Sequence, residues 1–265
     1  MVKRVKFSDQ DDKWIGSNKD DTVFPLGGDD IINGSGGNDN LDGGSGNDLI
    51  KGGKGSDVLV GGTGSDIMFG GSGLDFVSYA SSEAGLTVNR TDLARNTGDA
   101  LGDVVSAIEN LIGSDQNDAL TGTAKKNVII GGFGDDRIYG GGDGNDELWG
   151  DKEEFGVDGA DTFVFSAPTQ AGLYRIMDFD VQDRIELSRA DFGLHPQWKL
   201  AVGTTLIIAH SDPAATTNSP TFLVEQSTGN FYFDADGNGA GEAELIANVQ
   251  FHSQGYLDIN DFVIV

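Results

Sequence analysis

The chain has no cysteine, only three histidines and five prolines, and only seventeen Lys and Arg in 265 residues. Without thiols there is no disulfide framework and no thiolate metal centre. His195, His210 and His252 lie far from the repeated part of the sequence, so imidazole-based zinc or copper sites have no support there. No apolar run reaches the roughly 20 residues of a membrane-spanning helix. The basic residues 1–6 are followed by no apolar segment of a cleavable leader. Basic residues are few against forty-three Asp and Glu, and the net charge of −26 repels nucleic-acid phosphates and anionic lipid. H-E-x-x-H and G-x-S-x-G are both missing, and no acid, base and nucleophile share a segment. No catalytic residues are therefore assigned.

Aspartate and glycine are abundant, and they are ordered. Asp12, Asp21, Asp30, Asp39, Asp48, Asp57, Asp66 and Asp75 recur every nine residues, each followed two positions later by an apolar residue: Trp14, Val23, Ile32, Leu41, Ile50, Leu59, Met68 and Val77. In its fullest form the unit reads G-G-x-G-x-D-x-U-x with U apolar, as in Gly43 to Lys51 and the units opening at Gly52, Gly61 and Gly70. Such a short period marks a repeat architecture. The glycines allow a tight turn, and x-U-x is one short strand whose middle side chain points to one side. Two turns and two strands make a coil of eighteen residues. Coils stacked about 4.8 Å apart bury every U in a thin core and line the aspartates along two edges. Carboxylates so close together need cations, and oxygen-rich flexible turns suit Ca²⁺ better than Mg²⁺, which keeps its waters.

These units resemble the calcium-binding repeats of the RTX group of secreted bacterial proteins. The resemblance implies an all-β parallel β-roll, a β-helix-like solenoid, with each Ca²⁺ held between turns one coil apart. The first turn would supply the carbonyls of its second and fourth residues and its Asp. The second would supply the carbonyls of its first and third residues and its Asp. Carried onto this chain, one site joins Gly44, Gly46 and Asp48 to Gly61, Thr63 and Asp66. Another joins Gly53, Gly55 and Asp57 to Gly70, Ser72 and Asp75. Two more join Leu26, Gly28 and Asp30 to Gly43, Ser45 and Asp48, and Ser35, Gly37 and Asp39 to Gly52, Lys54 and Asp57. Asp48 and Asp57 would then each bridge two ions. Asp12 and Asp21 sit in turns that depart from the pattern, with Phe7, Ser8, Gln10 and Lys19 where the family has glycine.

A second block starts at Gly113, with Leu120, Ile129 and Ile138 in the inward role and Asp118 paired with Asp136 as its candidate ligands. Asn127 stands where an Asp is expected, so its pairing with Asp146 is the poorer one. Residues 79–112 interrupt the spacing. Asp103 to Ile112 reads as a coil rejoining the stack or, from its apolar spacing, as a short helix over 103–110. Segments of this kind ending in "IENLIGS" are common between RTX blocks. From residue 161 strand-like runs alternate with polar turns and resemble the C-terminal domain of serralysin-type secreted proteases. Asp234 to Gly239 matches only the opening of an EF-hand loop, because Leu245 stands at the twelfth position. The closing residues Asp261, Phe262, Val263, Ile264 and Val265 resemble the uncleaved signal read by type I secretion machines and equally fit a last strand.

Four segments are expected: a first RTX block over 1–78, an intervening coil over 79–112, a second block over 113–160 and a C-terminal β domain over 161–265. The resemblance implies a non-catalytic, secreted or cell-surface calcium-binding protein that folds on calcium after type I export. Two alternatives stand beside it: a calcium-dependent adhesin or lectin for extracellular polysaccharide, and the export and folding module of a larger enzyme. Met1 and the basic start point to a complete chain.

Overall fold

The computed structural model describes residues 5–6, 9–24, 27–142, 144–151, 159–166, 173–239, 241–251 and 255–265. Leu26, Phe7, Ser8 and His252 lie outside the described residues. Strands dominate, and the described residues hold only three short 3₁₀ turns, Leu93–Arg95, Gly98–Ala100 and Ile259–Asp261. No helix among them is long and apolar enough to cross a membrane. The chain forms two compact units, Met1–Gly122 with Ile129–Phe133, and Thr123–Val128 with Gly134–Val265.

In the first unit the nine-residue spacing becomes two parallel sheets visited alternately. One contains Lys13–Ile15, Ile31–Gly36, Leu49–Lys54, Ile67–Ser72 and Val104–Ser106, all parallel. The other runs through Thr22–Phe24, Asn40–Asp42, Val58–Val60, Phe76–Ser78 and Asn110–Ile112. Registers advance by one coil, Ile32 pairing with Ile50 and Ile50 with Met68. Alternate side chains of a strand face opposite ways, and the middle residue faces in. Val23, Ile32, Leu41, Ile50, Leu59, Met68 and Val77 are all 0% exposed. This is a parallel β-roll whose core is a stack of single aliphatic side chains.

Residues 103–112 do not form the helix that their apolar spacing also allows. Val104–Ser106 pairs with the strand from Ile67, and Asn110–Ile112 with the strand from Phe76. A helix would have left the open edges of both sheets without backbone partners. The expected strand near Val88 is Thr87–Asn89, paired in parallel with Ala119–Thr121.

The second unit begins with the same parallel style. Arg137–Tyr139, Thr162–Phe165, Arg184–Leu187 and Phe262–Ile264 form one parallel series. Glu147–Asp151, Tyr174–Phe179 and Glu244–Phe251 form another. Beyond Glu244–Phe251 the sheet turns antiparallel through Asn230–Asp234 and Thr221–Glu225, then adds Leu206–Ala209 in parallel. Aromatics replace the aliphatic stack here: Phe222 stacks on Phe231 at 5.4 Å, and Phe231 on Phe262 at 5.1 Å. The closing strand is thus anchored through Phe262, while Val263 and Val265 are exposed.

Leu59→Ala should cost about 2–5 kcal/mol of stability, because it opens a cavity in a stack with no slack. Val58→Ala, one residue away on a half-buried outward face, should cost much less. Denaturant unfolding of both variants in calcium tests the inward assignment.

Candidate metal centre

Six of the eight repeat aspartates are deeply buried at the turn that follows their glycines: Asp30, Asp39, Asp48, Asp57, Asp66 and Asp75 are between 0% and 2% exposed. One carboxylate oxygen is committed to the backbone of the preceding coil. The Asp30 amide donates to Asp48 Oδ1 at 2.7 Å, Asp39 to Asp57 at 2.8 Å, Asp48 to Asp66 at 2.8 Å and Asp57 to Asp75 at 2.8 Å. The second oxygen, Oδ2, is buried with no hydrogen-bond partner in all six. A buried, unmatched carboxylate oxygen is costly.

Those oxygens lie beside the leading glycine of their own turn and near the first carbonyl of the turn one coil on. A Cβ on Gly52 would collide with Asp57 Oδ2 and lie 2.7 Å from the Gly70 carbonyl oxygen. Gly43 stands in the same relation to Asp48 Oδ2 and the Gly61 carbonyl, and Gly34 to Asp39 Oδ2 and the Gly52 carbonyl. The leading glycine is therefore required by close approach: it clears the space on which an aspartate oxygen and the next turn's carbonyl converge. The remaining expected ligands stack coil on coil. Thr63 donates its amide to the Gly44 carbonyl, and the Gly46, Gly28, Gly37 and Gly55 amides donate to the carbonyls of Thr63, Ser45, Lys54 and Ser72. Gly53 and Ser35 face each other as register partners in one strand pair. Among the described residues no three carboxylate or imidazole side chains by themselves form a group that could hold a metal. Two aspartates completed by backbone carbonyls would form a hard-oxygen set suited to Ca²⁺.

Burial raises these carboxyls against the lowering effect of the amide each accepts. Asp48 is pushed up to about 7, and Asp39 and Asp75 to about 6, with neighbouring carboxylates adding to the rise. A divalent cation would reverse that balance by favouring the charged form.

Sequence reasoning missed several groups. Asp103 and Glu109 continue the two carboxylate columns: the Asp66 amide donates to Asp103 Oδ1 at 2.9 Å, and the Asp75 amide to Glu109 Oε2 at 3.1 Å. Asp103 also accepts from the buried Tyr79 hydroxyl at 3.0 Å. The local signal was an acid followed two residues later by an apolar residue, Asp103 before Val105 and Glu109 before Leu111. A second, outer column uses the exposed residue preceding each aspartate. The amides of Asp29, Asn38, Asn47, Ser56 and Ser65 donate to the side chains of Asp11, Asp20, Asp29, Asn38 and Asn47, at 2.7–3.0 Å.

In the second block the picture changes. Asp118 uses both oxygens within the first unit, accepting from the Leu86 amide at 2.8 Å and the Ser114 amide at 2.6 Å. Asp136 lies in the second unit, where its amide donates to Asp161 Oδ1 at 2.8 Å. The structure therefore does not gather the two expected ligands within one unit. The Asn127 amide donates to Asp146 Oδ1 at 2.8 Å, and Asp146 Oδ2 is buried without a partner. The Asp161 amide donates to Asp183 Oδ1, and the Asp180 amide closes that column on Asp183 Oδ2, both at 2.9 Å. The EF-hand-like stretch from Asp234 is the loop between the antiparallel strands Asn230–Asp234 and Glu244–Phe251. Asp261 belongs to a capping box with Asp258 at the start of the last strand.

Buried aspartates stacked at coil spacing, with free oxygens meeting carbonyls, define a calcium-binding parallel β-roll. Residues 15–50, 42–77, 112–143 and 141–152 match the family of the RTX calcium-binding nonapeptide repeat in four copies. The repeat blocks match that family, whose repeats bind calcium ions. The matched residues end at 152, ahead of the segment compared above with serralysin-type proteases. No curated relative matches the chain.

Two outcomes test the site. For the metal-free chain, a carboxyl whose folded value is raised contributes stability fully below its ordinary value of 3.8, and that contribution is lost as pH rises through about 6 to 7. In chelator, the melting temperature should fall as pH rises across this window, whereas with calcium it should rise as protons cease to compete. Gly52→Ala should weaken calcium binding although its backbone angle suits alanine, because the Cβ invades the Asp57 and Gly70 oxygens. Titration calorimetry against wild type reads that loss.

Proposed function

We propose that this chain is a secreted, non-catalytic calcium-binding protein that leaves the cell through a type I machine and folds when calcium fills its roll. The observation that carries this reading is the column of buried aspartates, each with one oxygen unmatched. Without cations, a net charge of −26 and the ordering entropy of forty-one glycines oppose a core one side chain thick. Ions that bind only the folded coils shift that balance by mass action. Sites working at roughly 10⁻⁴ to 10⁻³ M, usual for extracellular modules, would stay empty in cytosol and fill outside. The proposed ligands are those of the four sites in the first block. The C-terminal residues 261–265 serve as the export address while forming an edge strand.

A second reading is supported by the outer column of Asp11, Asp20 and Asp29, which is exposed. Together with calcium it offers a surface for an acidic extracellular polysaccharide, whereas the inner aspartates are too deeply buried to touch one. Binding to an anionic polysaccharide that survives wild-type levels of competitor sugar, or ignores chelator, would remove this reading. The chain serving as the export module of a larger enzyme shares the same calcium chemistry.

Chelation should abolish most of the β-sheet signal in circular dichroism, and calcium should restore it cooperatively; an unchanged spectrum would refute calcium-driven folding. Asp48→Asn and Asp57→Asn should each raise the calcium midpoint more than Asp12→Asn, since each serves two proposed ions. Equal shifts would contradict the bridging assignment.

A further inference from the structure

Far from the repeats, the loop between Asn230–Asp234 and Glu244–Phe251 holds a carboxyl that the fold leaves unanswered. Asp234 closes its strand and is only 6% exposed, yet its Oδ1 is buried with no hydrogen-bond partner among the described residues. Its carboxyl faces that of Asp236 at hydrogen-bonding range. Burial first, and then this neighbour, raise the Asp234 pKa above the ordinary value, against the lowering effect of the Gly237 and Asp236 amides. Two acids set face to face and withdrawn from water need a shared proton or a cation.

The loop is folded around Asp236. Its Oδ2 accepts the Gly241 amide at 3.1 Å, and a Cβ on Gly239 would collide with that oxygen. Gly237 takes φ 68°, and a Cβ there would run into the Thr217 carbonyl and lie 2.7 Å from the Ser219 carbonyl. The Asn238 amide donates to the same Thr217 carbonyl at 2.8 Å. The loop is thus seated on residues 217–219, where Thr217 Oγ1 is a second buried oxygen without a partner. On its other side Asp236 lines a cavity with Asp191, Glu242 and Glu244, and no basic side chain lines it among the described residues.

Asp234, Asp236 and Asn238 stand at the first, third and fifth places of an EF-hand loop. Leu245, at the twelfth, is held in the hairpin register opposite Tyr232, so no bidentate glutamate is available. Glu242 stands at the ninth place, where an EF-hand ligand often acts through water.

We propose that this hairpin loop is a calcium site of the second unit, separate from the repeats. The side chains of Asp234, Asp236 and Asn238 are its direct ligands, and Glu242 is reached through water. Two carboxylates and an amide oxygen are hard donors, and without the bidentate glutamate the site belongs with the weaker, extracellular class. The ion turns the repulsion between Asp234 and Asp236 into a tie and holds the loop on residues 217–219.

Crystals of the full chain grown in saturating calcium, read by anomalous scattering, should show a peak between Asp234 and Asp236. No peak at the loop would overturn the proposal, whether or not the repeat turns are filled. A peak here with none along the repeats would uphold it and overturn the reading of the roll instead. Native mass spectrometry supplies a second readout: Asp236→Asn should carry one calcium ion fewer than wild type. An equal count in the two proteins would mean that a shared proton neutralises the pair, and the proposal would fall.

Discussion

The half-satisfied buried carboxylate governs this molecule. From Asp30 to Asp75 each repeat aspartate gives one oxygen to the amide of the preceding coil and leaves the other buried without a partner. Stacking brings like charges into a column spaced by about 4.8 Å, where burial makes their repulsion harder to screen. A bare column of this kind is unstable, and neutralising it with protons or with cations are the two available solutions. The leading glycines, the convergent carbonyls and the scarcity of lysine along the turns are all consistent with the second. Hydrophobic packing alone would be thin support, because the inward positions provide one side chain per nine residues.

The second unit rests on a different balance. Its interior is filled by Phe163, Phe165, Phe222 and Phe231, all fully buried, with ring centroids from 5.4 to 6.4 Å apart in the Phe222–Phe231–Phe165 series. Aromatic rings bury far more area per residue than the aliphatic stack. Its carboxylate column ends on Asp183, both of whose oxygens accept backbone amides, so the last rung is closed by hydrogen bonds.

The roll was legible from sequence because period, glycine and apolar position agree from Trp14 to Val77, and strand polarity follows from a spacing that no helix satisfies. Asp103 and Glu109 were hidden for a physical reason: they join the columns across separations of 37 and 34 residues, where the constant eighteen is lost. Only the acid-x-apolar signature survives there, and three residues are too few to identify a repeat. Burial of the aspartates was also not visible, since a carboxylate on a turn is ordinarily solvated. The strands Leu206–Ala209 and Glu244–Phe251 escaped because neither has the clean alternation of Asn230–Asp234.

The inner and outer columns run in opposite senses. Inner amides donate toward the following coil, as Asp48 does to Asp66, and outer amides toward the preceding one, as Asn47 does to Asp29. The roll therefore has a polarity like that of a growing filament. A coil's buried amide stays unmet until its C-terminal neighbour docks, whereas its exposed amide is met by the neighbour already behind it. Within these two columns, loss of coils from the N-terminal end strips the exposed amides of their acceptors, and loss from the C-terminal end strips the buried ones. Asp103 and Glu109 thus supply the acceptors for the last buried amides of the first block's two inner columns.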